Sequence, residues 1–380
     1  MKKPLSKPIL KKLLCVFTKT IVGLLITFIL LILFIRSPWG QDFIIGKATN
    51  YVSEKIDTRF QIDQLYLTFS GNLTLGKLLL EDEVQDTLLY TKYLEADVPL
   101  MPLIFGDEIN VDVVNWKGVR ANVKRKDSLQ GYNFQFIIDA FASEENEKQK
   151  TNEDQPLNIS VGSIAFSDFD LTYQDKISGI DTRLKLGKFN LESKEIDLEA
   201  MKFHFSEVHL EQTSLNYTQS KAFQSEDSNE NSALPQIIID RLSIEKTNFN
   251  YTSIPDEIES EIKIEQFGFH ELNANLSNQE IAFEDIALQD GEVALKMNSN
   301  AEKKTSENKT QADDQAFSWP KWEVGIAEVK LENNKITIFQ NGQQPIKDQF
   351  STEAVALKNF DFNVENLKLS KNEQLGFKLN

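Results

Sequence analysis

The sequence predicts a mostly β protein, in which an N-terminal transmembrane helix and a short amphipathic helix precede a tandem array of β modules. Three observations carry this. A long apolar run with a single charge lies near the N-terminus. Helical periodicity is nearly absent after residue 60. A pattern of paired apolar residues occurs four times along the rest of the chain.

The first twelve residues, "MKKPLSKPILKK", carry five lysines and no acid. Leu13–Ile35 follows, with Lys19 as its one charge. As a helix it would span roughly 34 Å, enough for a hydrocarbon core of about 30 Å. Positive charge before it holds the N-terminus in the cytoplasm. A cleaved signal peptide has a shorter apolar core and a small-residue cleavage site. Here "RSPWGQ" follows and offers none, so residues 1–36 read as a basic tail and a retained anchor. Next, Phe43, Ile44, Ala48, Tyr51, Val52 and Ile56 recur at helical spacing. This short helix is expected to cap the end of the first sheet and protect its edge strand. A helix lying on the membrane surface is the alternative.

The β unit is clearest in "ISVGSIAFSDFDLTY". Ile159 and Val161 alternate like a strand, as do Ile164 and Phe166, then Phe169, Leu171 and Tyr173. Between groups the parity slips by one residue. The register returns 78 residues later as Ile237, Ile239, Leu242, Ile244, Thr247, Phe249 and Tyr251. It returns after 87 more as Val324, Ile326, Val329, Leu331, Asn334, Ile336 and Ile338, and it occurs 50 residues earlier as Ile109, Val111, Val114, Trp116, Val119, Ala121 and Val123. Thr247 and Asn334, at the third-group start, and the small Ala121 weaken the match. The 78-residue repeat extends through the following strands, where Leu184, Leu186, Phe189 and Leu191 map onto Ile262, Ile264, Phe267 and Phe269. In the last copy Val355, Leu357, Phe360 and Phe362 come about six residues late, after an enlarged loop. Such periodicity marks a tandem array.

A β-bulge at each slip would keep every pair on one face. The competing reading, a strand buried on both faces, would read as a continuous apolar run. One face is therefore apolar and the other wet. With no helices to cover it, the apolar face must pack on another sheet, curl on itself or meet a ligand. The expected units are residues 37–142 with the capping helix, then repeats at 156–219, 235–298 and 320–380. Polar, charged stretches at 143–155, 220–233 and 299–316 precede the three repeats and read as solvated connections. The array is expected to hold roughly twenty strands and to reach on the order of 100 Å at about 4.8 Å per strand. The last repeat is expected to be truncated, by two strands.

Composition narrows function. Removing the first 36 residues leaves 34 basic against 58 acidic residues. That balance argues against nucleic acid and against flat binding to anionic membranes. The one cysteine, Cys15, lies inside the anchor segment. No phosphate-binding loop, nucleophile motif or Cys-based metal site is present, so no enzymatic role and no cofactor are expected. His204, Glu207 and His209 lie close in sequence, but His204 and His209 flank apolar pairs and map onto Ala282 and Ala287 one repeat later. They read as wet-face residues rather than metal ligands.

From Ser37 to about Phe141 the chain resembles the N-terminal region of the AsmA-like superfamily, and of its TamB-type members in diderm bacteria. A membrane helix is followed by "SPWGQDFIIGKATNYVSEKIDTRFQI" and then by "LEDEVQDTLLYTKYLEADVPLMPLIFGDEINVDVVNWKGVRANVKRKDSLQGYNF". Asp82 precedes Leu88 and Leu89; Leu100, Pro102, Leu103 and Gly106 form a turn before strands. The "DSLQGYNF" tail is similar to the family's Asp-Gly…Asn-Phe ending, with three residues inserted between Asp127 and Gly131. The order of these loose motifs carries the resemblance, over about a third of the chain. The family's C-terminal domain is not seen, which again suggests truncation. The resemblance implies an elongated, curved, taco-like β-groove on an inner-membrane anchor, with its body in the periplasm. It implies transport of phospholipid acyl chains between inner and outer membrane. The alternative it implies is a scaffold for outer-membrane β-barrel assembly or secretion by strand pairing, with an outer-membrane barrel-assembly protein as partner. The groove would be lined by Ile109, Val111, Val114, Trp116, Ile159, Val161, Ile164, Phe166, Ile237, Ile239, Leu242, Ile244, Ile262, Ile264, Phe267, Phe269, Val324, Ile326, Val329 and Leu331.

Overall fold

The computed structural model describes residues 37–67, 72–97, 108–129, 131–142, 158–198, 200–222, 234–298, 322–343, 353–370 and 374–379, with scattered positions at 19–34 and Ile346 and Ser351. They form one mixed sheet of fifteen strands and two helices. The expected anchor, Leu13–Ile35, lies for the most part outside the described residues. Among those described, no helix is long and apolar enough to cross a membrane.

Helix α1 is Pro38–Ile56. Ser37 starts it: its Oγ accepts the Gly40 N–H at 3.0 Å, and Pro38 follows with its φ already helical. With 19 residues it is longer than the short helix the spacing suggested. It packs on β1, Phe60–Leu67, where Ser53 Oγ accepts the Phe60 N–H at 3.0 Å. Ile56 is buried and Ile44, Ala48 and Val52 are partly covered, whereas Phe43 and Tyr51 stay exposed. Helix α2, Gln135–Ala142, leans on α1. Its eight residues hold little more than two turns, too few for a helical period to stand out in the sequence.

Strands β2 (Asn72–Glu81), β3 (Thr87–Asp97) and β4 (Glu108–Arg125) continue from β1 as an antiparallel meander. The second unit contains β5 (Asn158–Asp175), β6 (Ile180–Asp197), β7 (Lys202–Glu211) and β8 (Ser214–Gln219). The third repeats it as β9 (Gln236–Ser253), β10 (Ile258–Asn275), β11 (Glu280–Gln289) and β12 (Glu292–Met297). The last has β13 (Glu323–Gln340), β14 (Ala354–Ser370) and β15 (Gln374–Leu379). Strand β15 pairs with the second half of β14, as β7 pairs with the second half of β6.

In each internal repeat two 18-residue strands form a hairpin and the third rank is broken in two. Strands β7 and β8 both lie between β6 and β9, and β11 and β12 both lie between β10 and β13. The path is therefore thirteen ranks deep, roughly 58 Å at about 4.8 Å per rank. This corrects the expected 100 Å.

Adjacent units meet through parallel pairs: β4 with β5, β7 and β8 with β9, β11 and β12 with β13. A parallel step obliges the chain to return to the starting end of the strand. The three charged stretches occupy these connections. The hydrogen-bond ladder runs through every boundary between units.

The parity slips are bulges. Gly118, Asp168, Lys246 and Asn333 hold the same place in the four copies, with φ of 67°, 53°, 49° and 52°. The ladder steps over them: Lys117 pairs with Ser167 and Val119 with Phe169, leaving Gly118 and Asp168 unpaired. A left-handed residue inside a strand bends it and lets the next apolar group regain the same face. The seam runs from rank to rank through Lys77, Lys92, Gly118, Asp168, Gly187, Gln212, Lys246, Glu265, Asp290 and Asn333. A second discontinuity, at Asp112, Gly162, Asp240, Glu271 and Ala327, matches the other slip.

Candidate functional site

In-register pairing carries the apolar groups from unit to unit in rows. One row reads Trp116, Phe166, Phe189, Leu210, Ile244, Phe267, Leu288, Leu331 and Phe362. Its side chains touch: Trp116 stacks on Phe166 at 5.8 Å between centroids, and Phe166 meets Phe189 at 5.9 Å. A neighbouring row reads Val114, Ile164, Leu191, Val208, Leu242, Phe269, Ile286, Val329 and Val364. Residues two apart along a strand share a face, so the rows form one apolar surface.

Of the twenty expected lining residues, Val111, Val114, Trp116, Val161, Ile164, Phe166, Ile237, Ile239, Leu242, Ile244, Ile262, Ile264, Phe267, Val324, Ile326, Val329 and Leu331 are partly exposed, and Phe269 is buried. Ile109 and Ile159 pair with each other in the backbone, and their side chains lie outside the described ones.

No other described element covers this face. Strands contact only their hydrogen-bonded neighbours, α1 contacts β1, and α2 contacts α1. Among the described residues only eight apolar side chains are buried: Ile56, Ile62, Leu88, Val119, Phe269, Ala274, Ala354 and Val364. A globular domain hides its large aliphatic residues far more completely. Here rows of Ile, Leu, Val and Phe keep part of their surface open.

The opposite face carries charge. Arg120 pairs with Asp168 at 2.8 Å, Arg183 with Asp170 at 2.8 Å and Lys188 with Glu211 at 2.7 Å. Exposed pairs of this kind add little stability, and they keep this face wet. His204 meets Asp240 at 2.8 Å, and His209 meets Ser243 at 2.6 Å. Among the described residues no cluster of three metal-ligating side chains forms.

Polar residues also occur on the apolar side, buried along the seam. Two of them, Thr247 and Asn334, are the polar residues that weaken the repeat pattern. Thr247 Oγ1 donates to the Glu245 carbonyl at 3.1 Å. Asn334 is 2% exposed; its Nδ2 donates to the Leu288 carbonyl at 3.1 Å, and its Oδ1 accepts the Gly291 N–H at 2.8 Å. In β3, Thr91 Oγ1 donates to the Lys117 carbonyl at 3.2 Å. These side chains bond backbone groups beside the bulges. Trp116 Nε1 is buried with no partner among the described residues.

Two polar anchors hold the strand ends. Asp82 accepts N–H groups from Val84 and Asp86 and the Asn133 amide at 3.1 Å, while Asn133 Oδ1 accepts the Lys124 N–H. The turn after β2 and the segment after β4 thus meet through Asp82 and Asn133. Asp175, 2% exposed, is held by Arg125 and accepts from Ser178 Oγ at 2.6 Å and from the Ile177 N–H at 2.9 Å. The Arg125 guanidinium, together with Ser178 and two backbone N–H groups, keeps the Asp175 carboxyl well below the usual carboxylate range.

No protein-family model and no curated protein matches the chain.

Proposed function

We propose that the apolar face is the floor of a curved groove that carries phospholipid acyl chains between the inner and outer membranes, the chain being anchored by Leu13–Ile35 with its body in the periplasm. The observation that supports this most is the unbroken set of apolar rows on a face that no described element covers. Each acyl methylene that leaves water for such a surface gains roughly 0.8 kcal/mol. Neighbouring ranks present similar Val, Ile, Leu and Phe side chains, so a chain moving by one rank exchanges like contacts for like. Its free energy stays nearly level along the path. The bulges support curvature, because the seam bends successive strands at one register position. The resemblance to AsmA-like proteins points the same way.

A second reading, a scaffold for outer-membrane barrel assembly, is favoured by one feature. The first half of β14 pairs with β13 and has no partner on its other side among the described residues. Such an edge accepts a strand by β-augmentation. Mass spectrometry of the protein extracted in mild detergent separates the readings. Stoichiometric phospholipid supports the conduit. Lipid-free protein that captures an unfolded barrel strand supports the scaffold and overturns the conduit.

A further inference from the structure

The two ends of the apolar rows differ in chemistry. At one end, five consecutive ranks place a hydroxyl on the apolar side: Tyr173 pairs with Thr182, Thr182 with Tyr217, Tyr217 with Tyr251 and Tyr251 with Ser260. The Tyr217 and Tyr251 rings stack at 5.6 Å, so they share a face. Tyr132 extends the row at its start, its hydroxyl 3.1 Å from that of Tyr173. At the other end the aligned residues are Ile196, Phe203, Ile237 and Ala274, with no hydroxyl.

We infer that the groove orients its lipid: the polar head lies at the hydroxyl row of Tyr173, Thr182, Tyr217, Tyr251 and Ser260, and the acyl chains run along the strands toward the seam. This rests on the conduit reading above and adds a direction to it. Length supports the assignment. Tyr173 lies five positions beyond the seam residue Asp168, roughly 17 Å of strand. The hydrocarbon depth of one leaflet is about 15 Å. A chain whose head sits at the tyrosines therefore ends near the seam. Tyrosine suits the boundary, since its ring is apolar and its hydroxyl seeks a polar partner. The Tyr217 hydroxyl donates to Gln219 Oε1 at 2.7 Å, and the Tyr173 hydroxyl lies 3.5 Å from Asp175 Oδ2; an ester or phosphate oxygen of the head would take these protons in exchange for the present acceptors. The occupant is thus a lipid with a hydrogen-bond-accepting head.

The full chain, reconstituted with phosphatidylcholine vesicles, tests this with two photoreactive lipids. One carries a diazirine near the head and the other at the acyl terminus. The head label is expected on peptides containing Tyr173, Tyr217 and Tyr251, and the terminal label near Thr247 and Ile264. Labelling of the Phe203 and Ile237 ends by the head probe, or equal labelling of both ends by both probes, overturns the orientation while leaving lipid binding standing. No crosslink from either probe overturns the conduit reading as well. The Tyr173→Phe, Tyr217→Phe, Tyr251→Phe triple variant keeps the ring packing. It is expected to lower head labelling at those peptides about tenfold while terminal labelling of the groove persists. Unchanged head labelling in that variant counts against the hydroxyls.

Discussion

Strands β4 and β13 cross the seam at the same register position and meet its demands with different residues. In β4 the left-handed residue is Gly118 and the next is Val119, fully buried. In β13 they are Asn333 and Asn334, and the second is a hydrogen-bonding side chain that bridges to Leu288 and Gly291. Glycine enters left-handed space at no steric cost, and Asn tolerates it better than most residues. The bulge is therefore set by backbone geometry. The residue after it either packs or repairs the ladder. The seam is architecture, and the apolar rows beside it are partly exposed surface.

The largest test of that division attacks the rows. Ile244 and Phe267 are cross-strand partners flanking the seam. Changing both to Asp should lower co-extracted phospholipid at least tenfold, because an unpaired carboxylate against hydrocarbon costs several kcal/mol. Far-ultraviolet circular dichroism should stay unchanged. Lys185→Gln, an exposed outer-face change, should leave lipid content alone. Asp240, although outside the apolar rows, is unsuitable as such a control because it holds Lys194 and His204.

The seam itself is sharpened by a contrast of two substitutions. A Cβ on Gly118 would lie 2.7 Å from Lys92 Cβ, on a backbone at φ 67°. Gly118→Val should cost about 3 kcal/mol, combining left-handed strain and crowding. Asn333→Gly relieves the same strain and should change stability by less than about 1 kcal/mol. Urea midpoints would check both. Equal costs at the two positions would mean that the backbone argument is wrong.

A smaller effect is expected from Asn334→Leu. It preserves bulk but orphans the Gly291 N–H and the Leu288 carbonyl, costing about 2 kcal/mol. Thr247→Val removes a single bond to a carbonyl two residues away and should cost about half as much. Hydrogen exchange at Gly291 should accelerate in the Asn334 variant alone.

The smallest effect is pH-dependent. Asp175 titrates below the ordinary range in the folded chain because Arg125 faces it. Its contribution is present above the unfolded carboxylate pKa of about 3.9. It is lost as pH falls from there toward the depressed folded value. Between pH 5 and pH 3 the native chain should lose stability more steeply than Asp175→Asn, which lacks this proton linkage. Parallel curves would remove Asp175 from the account.

Much of this was legible in the amino-acid order. Parity slips such as Phe166 to Phe169 located the bulges, because period-two patterning breaks where a strand takes an extra residue. Other features were hidden. Asn334 looked like a flaw in its repeat because its partners lie 43 and 46 residues away. The broken third ranks inflated the strand count, since β7 and β8 read as separate strands although they share one place in the sheet. Helix α2 was too short to leave a period. The hydroxyl row could be seen only after pairing aligned Tyr173, Thr182, Tyr217, Tyr251 and Ser260 across four interfaces.

Amino-acid order sets the alternation, the repeat lengths, the bulge positions and the two-faced chemistry, because these depend on spacing along one strand. The tertiary structure alone decided that the units share one ladder, that they join by parallel steps, and which ends of the rows carry hydroxyls. Those properties depend on register between strands far apart in the chain, and register arises only when each strand meets its neighbour.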